Sequence, residues 1–336
     1  MKTLFVTGGA GFIGAHFVRY WLSANPQDSI ITYDALTYAG NLASLADVIE
    51  NHTGRHTFIQ GDIRDKEQLV ELFKHYRPDY VINFAAETHN SRAVLSPTLF
   101  FETNVIGTQQ LLQAAVDADI PHFHHISTCE VYGDLALKSD QAFLETSAYQ
   151  PNTPYSASKA AADFAVRAYA KTYQLPVTLS NACNNYGPFQ YPEKLIPFFV
   201  TSLLRGRNVL IYENSHYCRE WLHVEDHCRG IERVLKTGQL GETYHIGSGF
   251  ERSVQQVADH LLACLGESES KKQPVPDRPG HDRRYLLNSE KIQKTLGWRP
   301  QIPFTEGLAD TVAWYQNHSD WWEPLVAAAE VREDAW

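Results

Sequence analysis

The stretch LFVTGGAGFIG, residues 4–14, decides which fold the sequence predicts. Its first four residues form an apolar run typical of a buried strand, and residues 12–22 have the apolar spacing of a helix. Between them, Gly9, Gly11 and Gly14 fit the pattern G-x-G-x-x-G, which allows a tight turn and lets a pyrophosphate approach the helix N-terminus. The stretch therefore predicts a strand, a phosphate-binding turn and a helix.

The next strand supplies the acidic residue that such a turn needs. The run SIITY, residues 29–33, predicts a second strand, and Asp34 ends it 20 residues after Gly14. A carboxylate there accepts hydrogen bonds from a ribose and repels a 2′-phosphate, which favours NAD over NADP. Asp62, after the third predicted strand, has two interpretations, namely a contact to the adenine end of the cofactor or the N-cap of a helix.

Strand and helix patterns alternate along the first half of the chain. This alternation predicts an α/β fold with a Rossmann-type, doubly wound parallel sheet. After residues 186–188 the rhythm changes, which predicts a smaller, mixed α/β substrate lobe. We assign residues 1–182 with 222–248 to an NAD-binding domain, and 183–221 with 249–336 to the substrate lobe. The polar segment Glu267 to Pro279 predicts an exposed loop.

Composition narrows the function classes. The 336 residues carry a formal net charge of −10, which disfavours nucleic acid and anionic membranes as partners. No apolar run reaches the 18 residues expected of a membrane span, and the N-terminus lacks a signal-peptide pattern. The five cysteines form no C-x-x-C pair, so neither a metal site nor a disulfide framework is expected, and the predicted location is cytoplasmic.

Tyr155 and Lys159 stand four residues apart in a predicted helix and therefore share one face. A nearby ammonium lowers the pKa of a phenol, so this spacing predicts that Tyr155 acts as a base near neutral pH. Tyr-x-x-x-Lys is common on any helix. The dinucleotide turn upstream makes a catalytic pair the better interpretation.

These motifs resemble those of the extended short-chain dehydrogenase/reductases. The residues that carry the resemblance are TGGAGFIG, Tyr155-x-x-x-Lys159 and Ser127-Thr128. More narrowly, the chain resembles the dTDP-glucose 4,6-dehydratase family over nearly its whole length, through FAAETH, ETNVIGT, STCEVYGD, NNYGPFQYPEKLIPFF, REWLHVEDH, RPGHDRRY and LGWRP. The resemblance implies an NAD-dependent hydro-lyase that acts on a nucleotide-diphosphate hexose. It also implies a homodimer formed through helices near residues 103–117 and 156–173.

The resemblance implies a role for each matching residue. Tyr155 takes the proton of the sugar 4-hydroxyl while hydride leaves C4, Thr128 holds that hydroxyl, and Glu130 removes the C5 proton. Water is then eliminated across C5–C6, and hydride returns to C6. Implied cofactor contacts are Gly8, Gly11, Phe12, Ile13, Gly14, Asp34, Asp62, Ile63, Ala85, Ala86, Thr103, Tyr155, Lys159 and Asn185. Implied substrate contacts are Thr88, Thr128, Asn184, Lys194, Leu195, Tyr212, Arg219, His281 and the loop from Asp277 to His281.

Two of these substrate contacts carry the positive charge that the acidic chain needs locally. Lys194 and Arg219 resemble the diphosphate ligands of the family. For Arg219 an alternative remains open, in which it pairs with Glu220 or Glu225 on the surface.

The chain departs from the family pattern at a catalytic position. Cys129 stands where the family has the aspartic acid that protonates the leaving 6-hydroxyl. A thiol is mostly neutral at pH 7 and can carry a proton, but it is a weak donor. Three readings remain open: an ordinary 4,6-dehydratase using Cys129 or a water, a 5,6-dehydratase that returns hydride to C4, or a C4 oxidase or epimerase. The presence of Glu130 argues against the third.

Smaller departures leave the nucleobase open. Leu210 and the segment 213–216 replace a proline and a short glycine-rich turn, so a uridine diphosphate sugar, including an N-acetylhexosamine, remains an alternative to a dTDP-sugar. Asn90-Ser91 stands where relatives often have Val-Asp. A non-catalytic regulator that kept the fold is the alternative from a different class.

Overall fold

The computed structural model describes residues 1–277 and 280–329. The strands are β1 (Thr3–Thr7), β2 (Ser29–Asp34), β3 (His56–Gln60), β4 (Tyr80–Asn83), β5 (Phe123–Thr128), β6 (Val177–Ala182), β7 (Asn184–Tyr186), β8 (Val209–Tyr212), β9 (Cys218–His223), β10 (Thr243–Ile246), β11 (Glu251–Ser253) and β12 (Lys272–Val275). The helices are α1 (Phe12–Ala24), α2 (Ala46–Asn51), α3 (Lys66–Tyr76), α4 (Asn90–Leu95), α5 (Pro97–Phe101), α6 (Thr108–Asp117), α7 (Pro154–Tyr173), α8 (Leu195–Leu204), α9 (Val224–Thr237), α10 (Val254–Leu265), α11 (Glu290–Leu296), α12 (Phe304–Asn317) and α13 (Ser319–Ala329).

The main sheet confirms the predicted fold class. Within the described residues it has the strand order β10-β6-β5-β4-β1-β2-β3, and every neighbouring pair is parallel. The chain winds outward from β1 in one direction and then returns to β4 on its other side. A crevice therefore opens at the carboxyl ends of β1 and β4, which is where ligands bind on such sheets.

A smaller lobe carries two short sheets, β11-β9-β7 and β12-β8. The pleat of β9 sends Trp221 into the core of this lobe, whereas Leu222 packs into the core of the main sheet. The predicted boundary between the two domains lies between residues 221 and 222 and remains a proposal. The packing of these two neighbours into different cores supports it. Of the predicted lobe, residues 278–279 and 330–336 lie outside the described residues.

Two predicted elements differ in the structure. The helix expected near residues 103–117 begins as a π-helical segment, Glu102–Gly107, which follows α5 and runs directly into α6. The predicted loop from Glu267 to Pro279 is wrong in part, because Lys272–Val275 forms β12 and pairs in parallel with β8. Pro274 is tolerated there because the sheet has only two strands, so each strand has an unpaired edge.

Candidate active site

A cavity of about 330 Å³ lies at the carboxyl edge of the main sheet. Its walls come from the turn between β1 and α1, the ends of β2, β4, β5 and β6, the start of α7 and the segment before α8. The predicted residues that line it are Gly8, Gly11, Phe12, Ile13, Gly14, Asp34, Asp62, Ile63, Ala85, Ala86, Thr88, Thr103, Thr128, Glu130, Tyr155, Lys159, Asn184, Asn185 and Lys194. The structure therefore brings most of the predicted cofactor and catalytic residues together.

The glycine turn has no room for side chains. A Cβ on Gly8, whose φ is +66°, would stand 2.6 Å from the amide nitrogen of Ala85, and a Cβ on Gly14 would collide with the carbonyl oxygen of Gly8. Gly11 precedes α1 without any side-chain cap, so the first amide groups of the helix remain available to a ligand. This arrangement fits the pyrophosphate of a dinucleotide.

Asp34 is positioned by the backbone around it. One carboxylate oxygen accepts from the amide of Ala10 at 2.9 Å, and the other accepts from the amide of Leu36 at 2.8 Å. Burial raises the pKa of Asp34, and the two amide donors act in the opposite direction. Each oxygen keeps acceptor capacity for a ribose hydroxyl, which fits NAD.

Asp62 does not cap α3. The N-cap is Asp65, whose carboxylate accepts from the amide of Gln68 at 3.0 Å, so the capping alternative for Asp62 is wrong. Asp62 instead pairs with Arg64 at 2.7 Å on the wall of the cavity. Its contact with the adenine end of a cofactor remains a prediction.

The tyrosine and lysine pair lies at the start of α7. The Lys159 ammonium donates to the carbonyl of Ile126 at 2.8 Å, and burial lowers its pKa to about 8. Burial raises the pKa of Tyr155, the charge of Glu130 raises it further, and a hydrogen bond with Thr128 acts in the opposite direction. The pKa of Tyr155 is thus raised and not lowered as the spacing predicts, because desolvation is the largest effect on it.

Just after β5, the side chains of the adjacent residues Cys129 and Glu130 point in different directions. The Thr128 hydroxyl accepts from the amide of Glu130 at 3.2 Å and so begins a short 3-10 turn, Cys129–Tyr132. This turn directs Glu130 to the cavity and Cys129 into the apolar core, where it is 1% exposed. Burial, followed by the charges of Glu130 and Glu220, raises the pKa of the thiol well above its usual value. Cys129 therefore does not line the cavity, and its role as the acid for the 6-hydroxyl, one of the alternatives left open, remains a prediction.

The wall opposite the glycine turn contains charged residues from distant segments. The Lys194 ammonium donates to the carbonyl of Thr88 at 3.1 Å and lies 3.7 Å from the carboxylate of Glu193. Sequence reasoning missed Glu193, whose side chain is almost fully buried, although its position next to Lys194 was a usable signal. It also missed Tyr38, which donates to Glu193 at 2.9 Å, and Arg92, which stacks over the Tyr38 ring at 3.9 Å.

Arg219 does not line the cavity. Its guanidinium donates to the carbonyls of Cys218 at 2.8 Å and Asp282 at 2.7 Å, and is 6% exposed. The surface-pair alternative is also wrong, because Glu220 is itself buried and accepts backbone amides, and Glu225 pairs with Arg229. Binding of a diphosphate by Arg219 remains a prediction.

The other substrate residues outside the cavity belong to the smaller lobe. Tyr212 and His281 lie together, with their ring centroids 5.4 Å apart, and His281 pairs with Asp277 at 2.6 Å. Leu195 begins α8 without reaching the cavity wall. The remainder of the predicted loop, Arg278 and Pro279, lies outside the described residues.

Residues 1–277 and 280–329 contain neither a metal-binding cluster nor a membrane-spanning helix. No group of three or more His, Cys, Asp or Glu side chains in this part of the chain has a metal-binding arrangement. None of the helices described here is long and apolar enough to span a bilayer.

Comparison with known proteins identifies the family. The family model described as GDP-mannose 4,6 dehydratase matches residues 5–311. The chain belongs to this family. The chain is 44% identical to the dTDP-glucose 4,6-dehydratase 1 of Escherichia coli strain K12. The match covers 98% of this chain and 96% of the Escherichia coli protein. The resemblance to dTDP-glucose 4,6-dehydratases within the extended short-chain dehydrogenase/reductases is thus confirmed.

Solved structures agree with this assignment. DesIV, a dTDP-glucose 4,6-dehydratase from Streptomyces venezuelae solved with NAD and TYD bound, matches with a TM-score of 0.92 at 49% identity, over 96% of this chain and 99% of its own. A UDP-glucose 4-epimerase from Thermotoga maritima, solved with UDP-glucose, matches with a TM-score of 0.86 at 28% identity, over 94% of this chain and 99% of its own. The dehydratase is therefore the nearer relative of these two.

Proposed function

We propose that this protein is an NAD-dependent dTDP-glucose 4,6-dehydratase. The observation that carries the proposal is that Glu130 and Tyr155 line one cavity beside the glycine turn. Oxidation at C4 needs a group at the 4-hydroxyl, whereas only elimination also needs a base at C5. Two proton-transfer groups on one cavity therefore favour a hydro-lyase over an oxidase or an epimerase.

Each polar residue of the cavity has a separate role in this reaction. When bound, NAD supplies the hydride acceptor for C4 and the hydride donor for C6. Tyr155 receives the proton of the 4-hydroxyl, and Thr128, which hydrogen-bonds to that phenol, orients the hydroxyl. Tyr155 accepts this proton as a phenolate. The Lys159 ammonium on the same helix face, together with the positive charge of bound NAD, opposes the desolvation that raises the Tyr155 pKa. Glu130 removes the C5 proton, which the neighbouring 4-ketone makes acidic. The 6-hydroxyl leaves as water with a proton from solvent, and Glu130 returns a proton to C5 when hydride returns to C6.

The identity of the product tests this proposal. The protein is incubated separately with dTDP-glucose, UDP-glucose and UDP-N-acetylglucosamine, and products are examined by mass spectrometry and NMR. We expect loss of one water from dTDP-glucose, with a C6 methyl and a 4-ketone. An exocyclic alkene would instead indicate a 5,6-dehydratase, and unchanged mass with inverted C4 would contradict dehydration.

Glu130→Gln is the matched variant for the same assay. We expect it to abolish exchange of the C5 hydrogen with deuterium from solvent, while NAD binding is retained. Undiminished exchange would remove Glu130 from its role as the base.

We also propose a homodimer. Large apolar side chains are exposed on neighbouring helical segments, including Phe101 at 41%, Ile106 at 51% and Phe164 at 58%. Exposed apolar side chains gathered on neighbouring segments favour an interaction surface there. Solution scattering at micromolar concentration should give the mass of two chains, and a monomer would contradict the proposal.

The cytoplasmic location that the sequence predicts also remains a proposal. The five free cysteines fit a reducing compartment. Fractionation of the source cells, followed with an antibody to this chain, tests it.

A further inference from the structure

The carboxylate of Glu130 is bonded by an amide side chain from another element. Asn90, the first residue of α4, donates from its Nδ2 to the Oε2 of Glu130 at 2.9 Å. The two residues lie 40 positions apart in the chain, so the contact is purely tertiary. A hydrogen bond to a charged acceptor is stronger than one between neutral groups.

The orientation of the Asn90 amide follows from its second partner. The hydroxyl of Thr153 accepts from the amide of Ser156 at 3.1 Å, and its own proton is directed to the Oδ1 of Asn90 at 2.8 Å. A flipped amide would place a carbonyl oxygen against the carboxylate of Glu130, and two acceptors at that distance repel each other. The network therefore fixes the NH₂ group toward Glu130.

This network connects the two halves of the catalytic machinery. Thr153 and Ser156 form the capping box that begins α7, and α7 carries Tyr155. Glu130 lies instead just beyond β5. Asn90 is thus a bridge between the helix that supplies the group for the 4-hydroxyl and the strand end that supplies the base for C5. Its two hydrogen bonds limit how far these two groups can move apart.

Several buried groups interact electrostatically with Glu130. They include the thiol of Cys129 and the phenols of Tyr155 and Tyr285, and burial raises the pKa of these three. The residue preceding Glu130 in the chain is therefore not a second carboxylate competing for ionisation. The amide of Asn90 donates to the carboxylate, and a hydrogen bond of this kind favours the charged form of Glu130.

We propose that Asn90 is a positioning residue that keeps Glu130 ionised and directed at the C5 hydrogen. The proposal rests on the proposed function for the identity of the proton that Glu130 removes.

The kinetic test uses Asn90→Leu, which keeps the approximate shape of the side chain and removes the donor. We expect kcat for dTDP-glucose and the rate of C5 deuterium exchange to fall about ten-fold at pH 7, with little change in KM. The acid limb of the exchange profile should move up by roughly one pH unit. Ser91→Ala, the next residue of the same helix, is the matched control and should change neither quantity.

A second readout does not depend on turnover. Protein labelled with ¹³C at the glutamate side-chain carboxyl is titrated by NMR, and Glu130→Gln identifies the signal of Glu130. We expect its midpoint to rise in Asn90→Leu, and to rise further in Asn90→Asp because a carboxylate then faces Glu130. An unmoved midpoint in both variants would overturn the proposal, even if the wild-type protein proved inactive on dTDP-glucose. A raised midpoint in an inactive wild type would leave Asn90 in place and reject only the proposed function.

Discussion

The two walls of the cavity are made of different parts of the polypeptide. The wall beside β1 and β2 is mostly backbone: Gly8 and Gly14 leave no space for a Cβ, and Asp34 is fixed by two amide groups. The opposite wall is made of long side chains. There, Glu193 and Lys194 contact each other and charged or aromatic residues from distant segments.

The difference shows which physical effect controls ligand binding at each wall. Backbone packing excludes a Cβ whatever its chemistry, so the first wall is controlled by space. Charged side chains respond to pairing, burial and salt, so the second wall is controlled by electrostatics. We therefore expect small steric changes to disable the first wall and charge changes to retune the second.

The largest expected effect is on the backbone wall. Gly14→Ala brings a Cβ against the carbonyl of Gly8, and relief requires the turn itself to move. We expect NAD to bind about 100-fold more weakly, measured by calorimetry on cofactor-free protein. Gly54→Asn is the control, because nothing lies within 4 Å of a Cβ added at Gly54 and asparagine tolerates the positive φ of this position. Unchanged NAD affinity in Gly14→Ala would contradict steric control.

A smaller effect is expected on the side-chain wall. Lys194→Met keeps the length of the side chain and removes the charge that lies beside Thr88. We expect KM for dTDP-glucose to rise about ten-fold, with NAD affinity unchanged, because a charge-assisted contact to the diphosphate is lost. The difference from wild type should shrink in high salt. Lys138→Met, at an exposed position, is the control and should leave KM for dTDP-glucose unchanged. An equal rise in KM in both variants would reject a role for Lys194 in binding the diphosphate.

A third effect is expected at Glu220, a buried carboxyl group of β9. Burial raises the pKa of Glu220 to about 7, while the amides of Leu287 and Gly249 oppose this. Between the usual value of 4.5 and about 7, the folded protein keeps a proton that the unfolded chain releases. This contribution to stability, about 3 kcal/mol at most, is therefore full below pH 4.5 and is lost as pH rises through 7.

Glu220→Gln cannot titrate and should flatten this dependence. We expect the melting temperature of the variant to change less than that of wild type between pH 5 and pH 7.5. Glu306→Gln, on an exposed part of α12, should run parallel to wild type. Parallel curves for Glu220→Gln would show that Glu220 is ionised throughout.

The smallest effect is expected at Cys129. Because the thiol lies in the core and not on the cavity wall, Cys129→Ala should keep kcat for dTDP-glucose within about three-fold of wild type. Cys129→Asp should lower the melting temperature, since it adds a buried carboxyl near Glu130 and Glu220. A loss of 100-fold or more in Cys129→Ala, with NAD binding intact, would restore the thiol as the acid for the 6-hydroxyl.

The sequence predicted the backbone wall better than the side-chain wall for a physical reason. The glycine turn and Asp34 belong to one continuous strand, helix and strand, so their spacing is read directly along the chain. Glu193, by contrast, gains its partners from Tyr38 and Arg92, more than a hundred residues away. Neither a periodicity nor a local motif in the sequence predicts such a long-range contact.

The sequence by itself determined the parallel sheet, the phosphate turn and the family, because these follow from apolar periodicity and from glycines at fixed spacing. Only the tertiary structure decided the direction of neighbouring side chains. Residues 129 and 130 are adjacent, but the turn after β5 sends Cys129 into the core and Glu130 to the cavity. It also decided that Asn90 contacts Glu130, because the two residues lie 40 positions apart and meet only once α4 has packed beside α7.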